Sequence, residues 1–396
     1  FFFGFYLKME FCAELAQQFG TLRRTLIVGG VNGIATGMLR CRDAASALAM
    51  RLTDVLCSTR PVKGLPSSVT FRPVDHTALA AAVERLGAHE TMVIRPEQSE
   101  RLQSEFGITA KELLVALLRL VRHHAIPPIS NFKVGAAGLG ASGAIYFGVN
   151  LEFPNDRIGH TVHAEQFMIS NAFSNGETGI VALAVNAAPC GHCRQFINEL
   201  PAPDAIEVLI ADIGHAGDDS ANAARAGAPI KVTVRPFPEL LPDSFGPADL
   251  GVVHAFMAHP ANGVVLASGA AAAAGLDFDD AVLAAAVAAA DASYAPHSGC
   301  PAGVAVSVGG KVFGGSYIEN AAFNPSLPAM QSALIAARGG GVRDWGMIDR
   351  VVVAERDCGA GFRHEASTRE MAKLLAPGAQ FAAVRIDIHT AGGASR

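Results

Sequence analysis

Ile145-Tyr146-Phe147-Gly148-Val149-Asn150-Leu151-Glu152 opens on a β-prone run, and a second such run, Phe132 to Leu139, precedes it across Gly140-Ala141-Ser142-Gly143. Two β-prone runs joined by small turn residues read as a hairpin. Upstream, Leu113, Leu114, Leu117, Leu118 and Val121 recur at helical spacing and stop before Pro127-Pro128, which cannot continue a helix. Downstream, a helix is expected from about His163 to Ala172, closed by Asn175-Gly176. Residues 180–187 then read as a buried strand, 191–200 as a short helix and 206–211 as another strand. Strands alternating with helices predict an α/β fold, a three-layer α/β/α domain.

The pattern returns about 167 residues later. Phe147-Gly148-Val149-Asn150-Leu151-Glu152 falls on Gly314-Gly315-Ser316-Tyr317-Ile318-Glu319, and Ser130-Asn131-Phe132 falls on Ser298-Gly299-Cys300. The Ala-rich stretch from 270 to 292, placed before Tyr294-Ala295-Pro296, takes the position of the helix before Pro127. The α/β/α fold is therefore expected twice, in tandem. Residues 214–230 read as a surface loop, and four prolines between Pro236 and Pro247 suit an irregular connector.

Of the 396 residues, 50% are hydrophobic and 17% charged, which excludes disorder as the main state. No run reaches the ~18 consecutive apolar residues of a membrane helix, so no membrane partner is expected. Residues 1–91 carry 10 basic and 7 acidic side chains, whereas residues 92–396 carry 21 against 29, a net −8. That balance lacks the clustered cations a nucleic-acid surface needs, so no nucleic-acid partner is expected. The charge step marks residues 1–91 as an extension: a gene-model artefact, an added helical arm or an organellar transit segment. Arg23, Arg24, Arg40, Arg42 and Arg51 suit the last; Asp43, Asp54 and few serines fit it poorly. The expected division is 1–91, 92–245 and 246–396.

Seven cysteines are too few and too unevenly spaced for a disulfide framework, so a reducing compartment, the cytosol, is expected. Cys190 and Cys193 alone stand close together in the chain. They lie in Pro189-Cys190-Gly191-His192-Cys193, which follows His163-Ala164-Glu165 after 23 residues. One His and two Cys supply three tetrahedral ligands to Zn²⁺ and leave the fourth position open, as catalytic zinc sites do. Glu165, two residues from the His, is placed to act as general acid and base. The alternative is a closed structural site completed by His160 or His192.

This H-x-E…P-C-x-x-C pattern is the signature of the zinc deaminases, in which the Glu is not a ligand. The chain resembles the cytidine deaminase family, and more closely its two-domain, homodimeric branch of enteric bacteria and plants. The resemblance rests on Ser130 to Ala136, Tyr146 to Phe153, His163 to Gln166 and Pro189 to Phe196, and in the second half on Tyr317 to Pro325. It runs from about Met92 to Arg385; Glu152-Phe153-Pro154-Asn155 and Phe245-Gly246-Pro247 look plant-like.

The resemblance implies a duplicated cytidine-deaminase-like fold and hydrolytic deamination of cytidine and deoxycytidine in pyrimidine salvage. It implies one zinc per chain on His163, Cys190 and Cys193, with Glu165 passing a proton from the attacking water to N3 and then helping to expel ammonia as the tetrahedral intermediate collapses. It gives Asn150 and Glu152 the ribose hydroxyls and Phe132 the pyrimidine ring. Backbone groups at Ala164 and Cys190 are given the exocyclic amine or the tetrahedral intermediate. In the second half Pro328, Met330, Cys358 and Gly361 replace His163, Glu165, Cys190 and Cys193, and Tyr317 replaces Asn150. A copy without zinc, ribose site or catalysis is expected, which packs on the first and closes the active site of a partner chain in a homodimer.

Three rivals share the metal motif or its ligands. A polynucleotide deaminase needs a cationic groove that the net −8 does not supply. A deoxycytidylate deaminase needs one cation, and Lys133 and Arg157 stand near enough that charge alone does not separate nucleotide from nucleoside. A zinc-stabilised, non-catalytic module has no use for Glu165.

Overall fold

The computed structural model describes residues 68–214, 229–277, 279–359 and 362–389. The first sheet has seven strands: β1 (Val69–Phe71), β2 (Val93–Ile94), β3 (Gly135–Gly140), β4 (Ile145–Val149), β5 (Ile180–Val185), β6 (Glu207–Asp212) and β7 (Ile230–Pro236). Their order is β1-β7-β6-β5-β3-β4-β2, antiparallel except where β5 runs parallel to β6. The second has five: β8 (Val264–Leu266), β9 (Ala302–Val308), β10 (Lys311–Ser316), β11 (Ile348–Arg356) and β12 (Gln380–Ile388). Its order is β10-β9-β11-β12-β8, with β11 parallel to β12. The run β4-β3-β5-β6 thus reappears as β10-β9-β11-β12, and the expected duplication is present.

Helices cover both sheets. They are α1 (His76–Arg85), α2 (Pro96–Phe106), α3 (Ala110–Val121), α4 (Ala164–Ser174), α5 (Gly191–Ile197), α6 (Ala281–Asp291), α7 (Ala329–Gly339) and α8 (His364–Leu375). Helix α3 packs on β3 and β5 and α4 on β4, while α6 packs on β9 and α7 on β10. In each copy a glycine sets the approach of the helix that follows the hairpin. A Cβ on Gly148 would collide with Ala164 O and Met168 N of α4, and one on Gly315 with Ala333 N of α7. Helix backbone cannot give way as a side chain can. Gly148→Ala is therefore expected to cost about 1–3 kcal/mol and to push away the helix that begins at His163. Urea unfolding with parallel zinc analysis checks this; wild-type stability would refute the close packing.

The two copies share one core, in which Phe256 stacks 4.7 Å from Phe173 and 5.5 Å from Tyr294. Glu199, fully buried, joins them: its carboxylate accepts from Ala321 N at 2.7 Å and from Tyr294 Oη at 3.1 Å. Burial pushes its pKa up to about 7. Gln166 Nε2 donates to Pro325 O at 3.3 Å, and Asn320 Nδ2 to Gln195 O at 2.9 Å.

Several expectations change. Pro66–Arg396 form one compact unit. Strand β1 pairs with β7, and α1, capped by Asp75, buries Leu79, Ala82 and Val83. That apolar stripe is local, but the charge step across the segment masked it. The arginines at 23, 24, 40, 42 and 51 and most of the loop at 214–230 lie outside the described residues. The first hairpin strand begins at Gly135, because Asn150 bonds Phe132 O and Val134 N and holds residues 132–134 out of the sheet. The Ala-rich stretch is two helices, Ala270–Ala273 and α6, since Gly275 takes a positive φ and Asp280 caps α6 with bonds to Val282 N and Leu283 N. In the connector, β7 runs to Pro236 and a helical turn, Phe237–Leu240, follows with Phe237 buried. Finally, Cys300 and Cys358 are disulfide-bonded, 58 residues apart. Spacing hides this pair, because the duplicated fold brings together the positions equivalent to Phe132 and Cys190.

Candidate metal centre and substrate cleft

His163 is the N-cap of α4, and Gln166 Oε1 accepts its backbone N–H at 3.4 Å. Cys190 is the N-cap of α5, and Cys193 lies in that helix's first turn. Pro189 and Arg194 shape the approach: the Arg194 guanidinium donates to Pro189 O and Leu240 O, each at 2.8 Å. The result brings His163 Nδ1 to 3.5 Å from Cys190 Sγ and 3.3 Å from Cys193 Sγ, with the sulfurs 3.7 Å apart.

Those distances test the metal. A tetrahedral zinc ~2.3 Å from sulfur and ~2.0 Å from nitrogen requires sulfurs ~3.8 Å apart and nitrogen ~3.6 Å from each. The donors fit within a few tenths of an ångström. Among the described residues these three make up the only group of three or more metal-ligating side chains. His160 Nδ1 is taken by the Asp156 carboxylate at 2.9 Å, and His192 packs against His163 with ring centroids 5.4 Å apart. Neither completes a closed site. Hydrogen bonds from Cys193 and His163 pull the Cys190 thiol down to about 3, while the bond to Cys190 and burial push Cys193 up. Both sulfurs bind a metal as thiolates, so metal binding releases protons from the pair.

Glu165, 4% exposed, sits one residue into α4, and burial raises its carboxyl above the usual carboxylate range. It lines a cleft of about 270 Å³ together with His163, Ala164 and Cys190. The opposite wall holds Phe132, Asn150 and Glu152. Glu152 accepts Ile129 N at 2.8 Å and Ser130 N at 2.9 Å on one oxygen and Ser130 Oγ at 2.5 Å on the other. Asn150 accepts Val134 N and donates to Phe132 O, each at 2.9 Å, which draws residues 132–134 out of the sheet. An amide has two N–H groups and two lone pairs, so one of each remains for a ligand. Phe132 stays 42% exposed at the mouth. All the residues singled out from the sequence thus meet in one place. Sequence reasoning passed over Thr161, Ala187 and Ala188 in the lining and the braces Arg194 and Gln166; only Thr161, two residues from the His ligand, carried a local signal.

Two stretches, residues 108–208 and 237–369, match the family described as "Cytidine and deoxycytidylate deaminase zinc-binding region". Cytidine deaminase 1 of Arabidopsis thaliana is 37% identical over 297 residues, 74% of this chain and 96% of its own length. The chain belongs to the cytidine deaminase family. Two bacterial members are similar as well: a cytidine deaminase of Aeromonas hydrophila, 42% identical over 70% of this chain and 84% of its own, and one of Aliivibrio fischeri, 39% identical over 62% and 73%. The tandem matches fall on the two copies, as in the family's two-domain branch, and the cofactor is zinc.

In the deaminase's second copy Pro328 caps α7 where His163 caps α4, Met330 is buried in the place of Glu165, and Cys358 is tied to Cys300. Gly361 lies outside the described residues. No second group of three ligands occurs among the described residues.

Proposed function

We propose that the chain deaminates cytidine and deoxycytidine hydrolytically to uridine and deoxyuridine, releasing ammonia. The observation that carries this is the buried Glu165 carboxyl beside a three-donor zinc group, inside a cleft whose far wall presents Asn150 and Glu152. His163, Cys190 and Cys193 hold the metal, which when bound supplies the Lewis acidity that brings water ionisation toward neutral pH. Glu165 takes the water's first proton and delivers it to N3 of the ring, where it stays in the product, then takes the second proton from the new C4 hydroxyl and passes it to the departing amine. Its burial suits both halves of that task, since a raised pKa makes it a ready donor. Glu152, rigidly held by Ile129 N and Ser130, accepts from a ribose hydroxyl, and Asn150 adds a second contact. Phe132 packs against the pyrimidine, while Ala164 and Cys190 offer backbone groups to the reacting centre.

A free nucleoside is favoured over a nucleotide because the described lining of the cleft contains no Lys or Arg. Arg157 is engaged with Glu370 at 2.8 Å. Residues 92–245 are the catalytic part and 246–396 the non-catalytic part, with residues 68–91 packed on the first. A homodimer in which the second copy closes its partner's cleft accords with the exposure of Phe132, Ile158 and Phe323. A cytosolic site rests on the few, scattered cysteines, against which the Cys300–Cys358 disulfide stands, and no described helix is long and apolar enough to cross a membrane.

An ammonia-release assay offering cytidine, deoxycytidine, cytosine, dCMP and single-stranded DNA tests the reading. Turnover of the two nucleosides is expected. Turnover of dCMP alone or of DNA alone would replace the substrate.

A further inference from the structure

The second copy lost its catalytic residues but kept a cleft, and that cleft is larger, about 490 Å³ against about 270 Å³. It occupies the equivalent place. Glu319, fully buried, accepts His297 N at 2.8 Å and Ser298 N at 3.0 Å, as Glu152 accepts Ile129 N and Ser130 N. The bridges of Ile318 to Tyr294 and Leu327 repeat those of Leu151 to Ile126 and Val162. Phe362, Arg363 and His364, at the start of α8, line this second cleft.

What this cleft can bind follows from which polar groups are already engaged. The first amides of α8 are taken, since His364 N and Glu365 N donate to Glu355 Oε2 at 2.6 and 3.0 Å. Arg363 lies 3.1 Å from the Asp357 carboxylate and 3.9 Å from that of Glu355. The site therefore offers no free positive charge to an anion, and its described residues include no metal-ligand group. The unsatisfied group is His364 Nε2, in a side chain 6% exposed. Burial lowers the ring's pKa from the ordinary imidazole value, and the ring bonds to the Cys300 backbone while Nε2 has no partner, so in the neutral ring Nε2 is left as an acceptor. Tyr317 and Phe362 flank the imidazole, with centroids 4.5 and 4.8 Å away. Glu319 Oε1 already accepts from Tyr317 Oη at 3.3 Å, which leaves that oxygen one further lone pair, so His364 Nε2 and Glu319 are two acceptors beside aromatic rings that line the cleft. A volume near 490 Å³ is within the range of small-molecule pockets, roughly 300–1,000 Å³.

We infer that this second cleft binds a neutral nucleoside without converting it, the base donating an N–H to His364 Nε2 and a ribose hydroxyl donating to Glu319. The cleft lacks chemistry because Met330 stands where Glu165 stands in the first. The vestigial ribose carboxylate has been kept, in its original brace, beside a new base-recognition group. The retained binding stands on the geometry of the second copy and goes beyond the catalytic reading of the first.

Equilibrium dialysis with labelled uridine, the product of the proposed reaction, tests it on the full chain. Wild type should bind two uridines per chain at saturation. His364→Phe, which removes the acceptor and keeps an aromatic ring in place, should bind one, with cytidine turnover within about twofold of wild type. Ser367→Trp plugs the same cleft from a partly exposed position and should also reduce two to one; it decides the matter if His364→Phe fails to fold. One uridine per chain in wild type that is still bound in Ser367→Trp, or two retained in Ser367→Trp and in folded His364→Phe, would overturn the inference. A wild type that binds a single uridine and loses it in these variants would instead keep the second cleft and remove the nucleoside from the first.

Discussion

Replacing Glu165 by Gln should lower kcat for cytidine by about 10²–10⁴-fold, the usual contribution of a positioned acid–base group, while zinc content stays at one per chain. The amide keeps the size and polarity of the carboxyl but neither accepts the water's proton nor donates to N3. Glu165 is not among the three closely spaced donors, so its loss should not release the metal. KM should change far less than kcat, because the contacts assigned to ribose and ring belong to Asn150, Glu152 and Phe132 on the opposite wall. Steady-state kinetics alongside atomic-absorption analysis checks both halves. Turnover equal to wild type in the variant would reject the proton shuttle. A loss of zinc would move Glu165 from the chemistry to the architecture of the centre.

Removing one sulfur should have a comparably large and different effect. Cys193→Ala takes a buried ligand from the first turn of α5, and the two remaining donors cannot hold zinc in a tetrahedral site of this kind. The chain should lose its zinc on dialysis against a chelator and lose turnover with it. The metal also ties the N-terminus of α4 to that of α5, so the apo chain gives up the stabilisation that ligand binding provides, about 4 kcal/mol where free zinc exceeds Kd 1,000-fold. A fall in Tm should therefore accompany the loss, and zinc should not reverse it in the variant. Cys358→Ala is the matched control: it removes the equivalent cysteine of the second copy, which is bonded to Cys300 and not part of a ligand group. That variant should retain one zinc per chain. Two zincs in wild type, or zinc lost from Cys358→Ala, would contradict a single metal centre in the first copy.

Much of this was legible in the chain, because its decisive features are local or repeat at a fixed offset. His163 and Glu165 are two residues apart at a helix start, and Cys190 and Cys193 share one turn, so short-range geometry alone converges each pair. The repeat of Asn150-Leu151-Glu152 at Tyr317-Ile318-Glu319 revealed the duplication. The contrast between the copies was visible because the missing ligands are substitutions at aligned positions. Where reading the residues fell short, the cause lay elsewhere. Asn150 was assigned to ribose, yet it also holds residues 132–134 out of the sheet, through bonds to a segment 16 and 18 residues away. The apolar stripe of Leu79, Ala82 and Val83 was present in the sequence but was overlooked beside a charge count that says nothing about packing.

Residue type and short spacing were enough to point to the proposed metal donors and acid–base group, and a fixed offset was enough to reveal the repetition. Tertiary structure alone decided the rest. It joined Cys300 to Cys358 across 58 residues, placed Glu199 of the first copy on Ala321 and Tyr294 of the second, and left a cleft in the copy that had lost its catalysts. Each of these depends on distances between segments remote in the chain, and such distances are set by how two sheets and their helices pack, a quantity no local pattern of residues encodes.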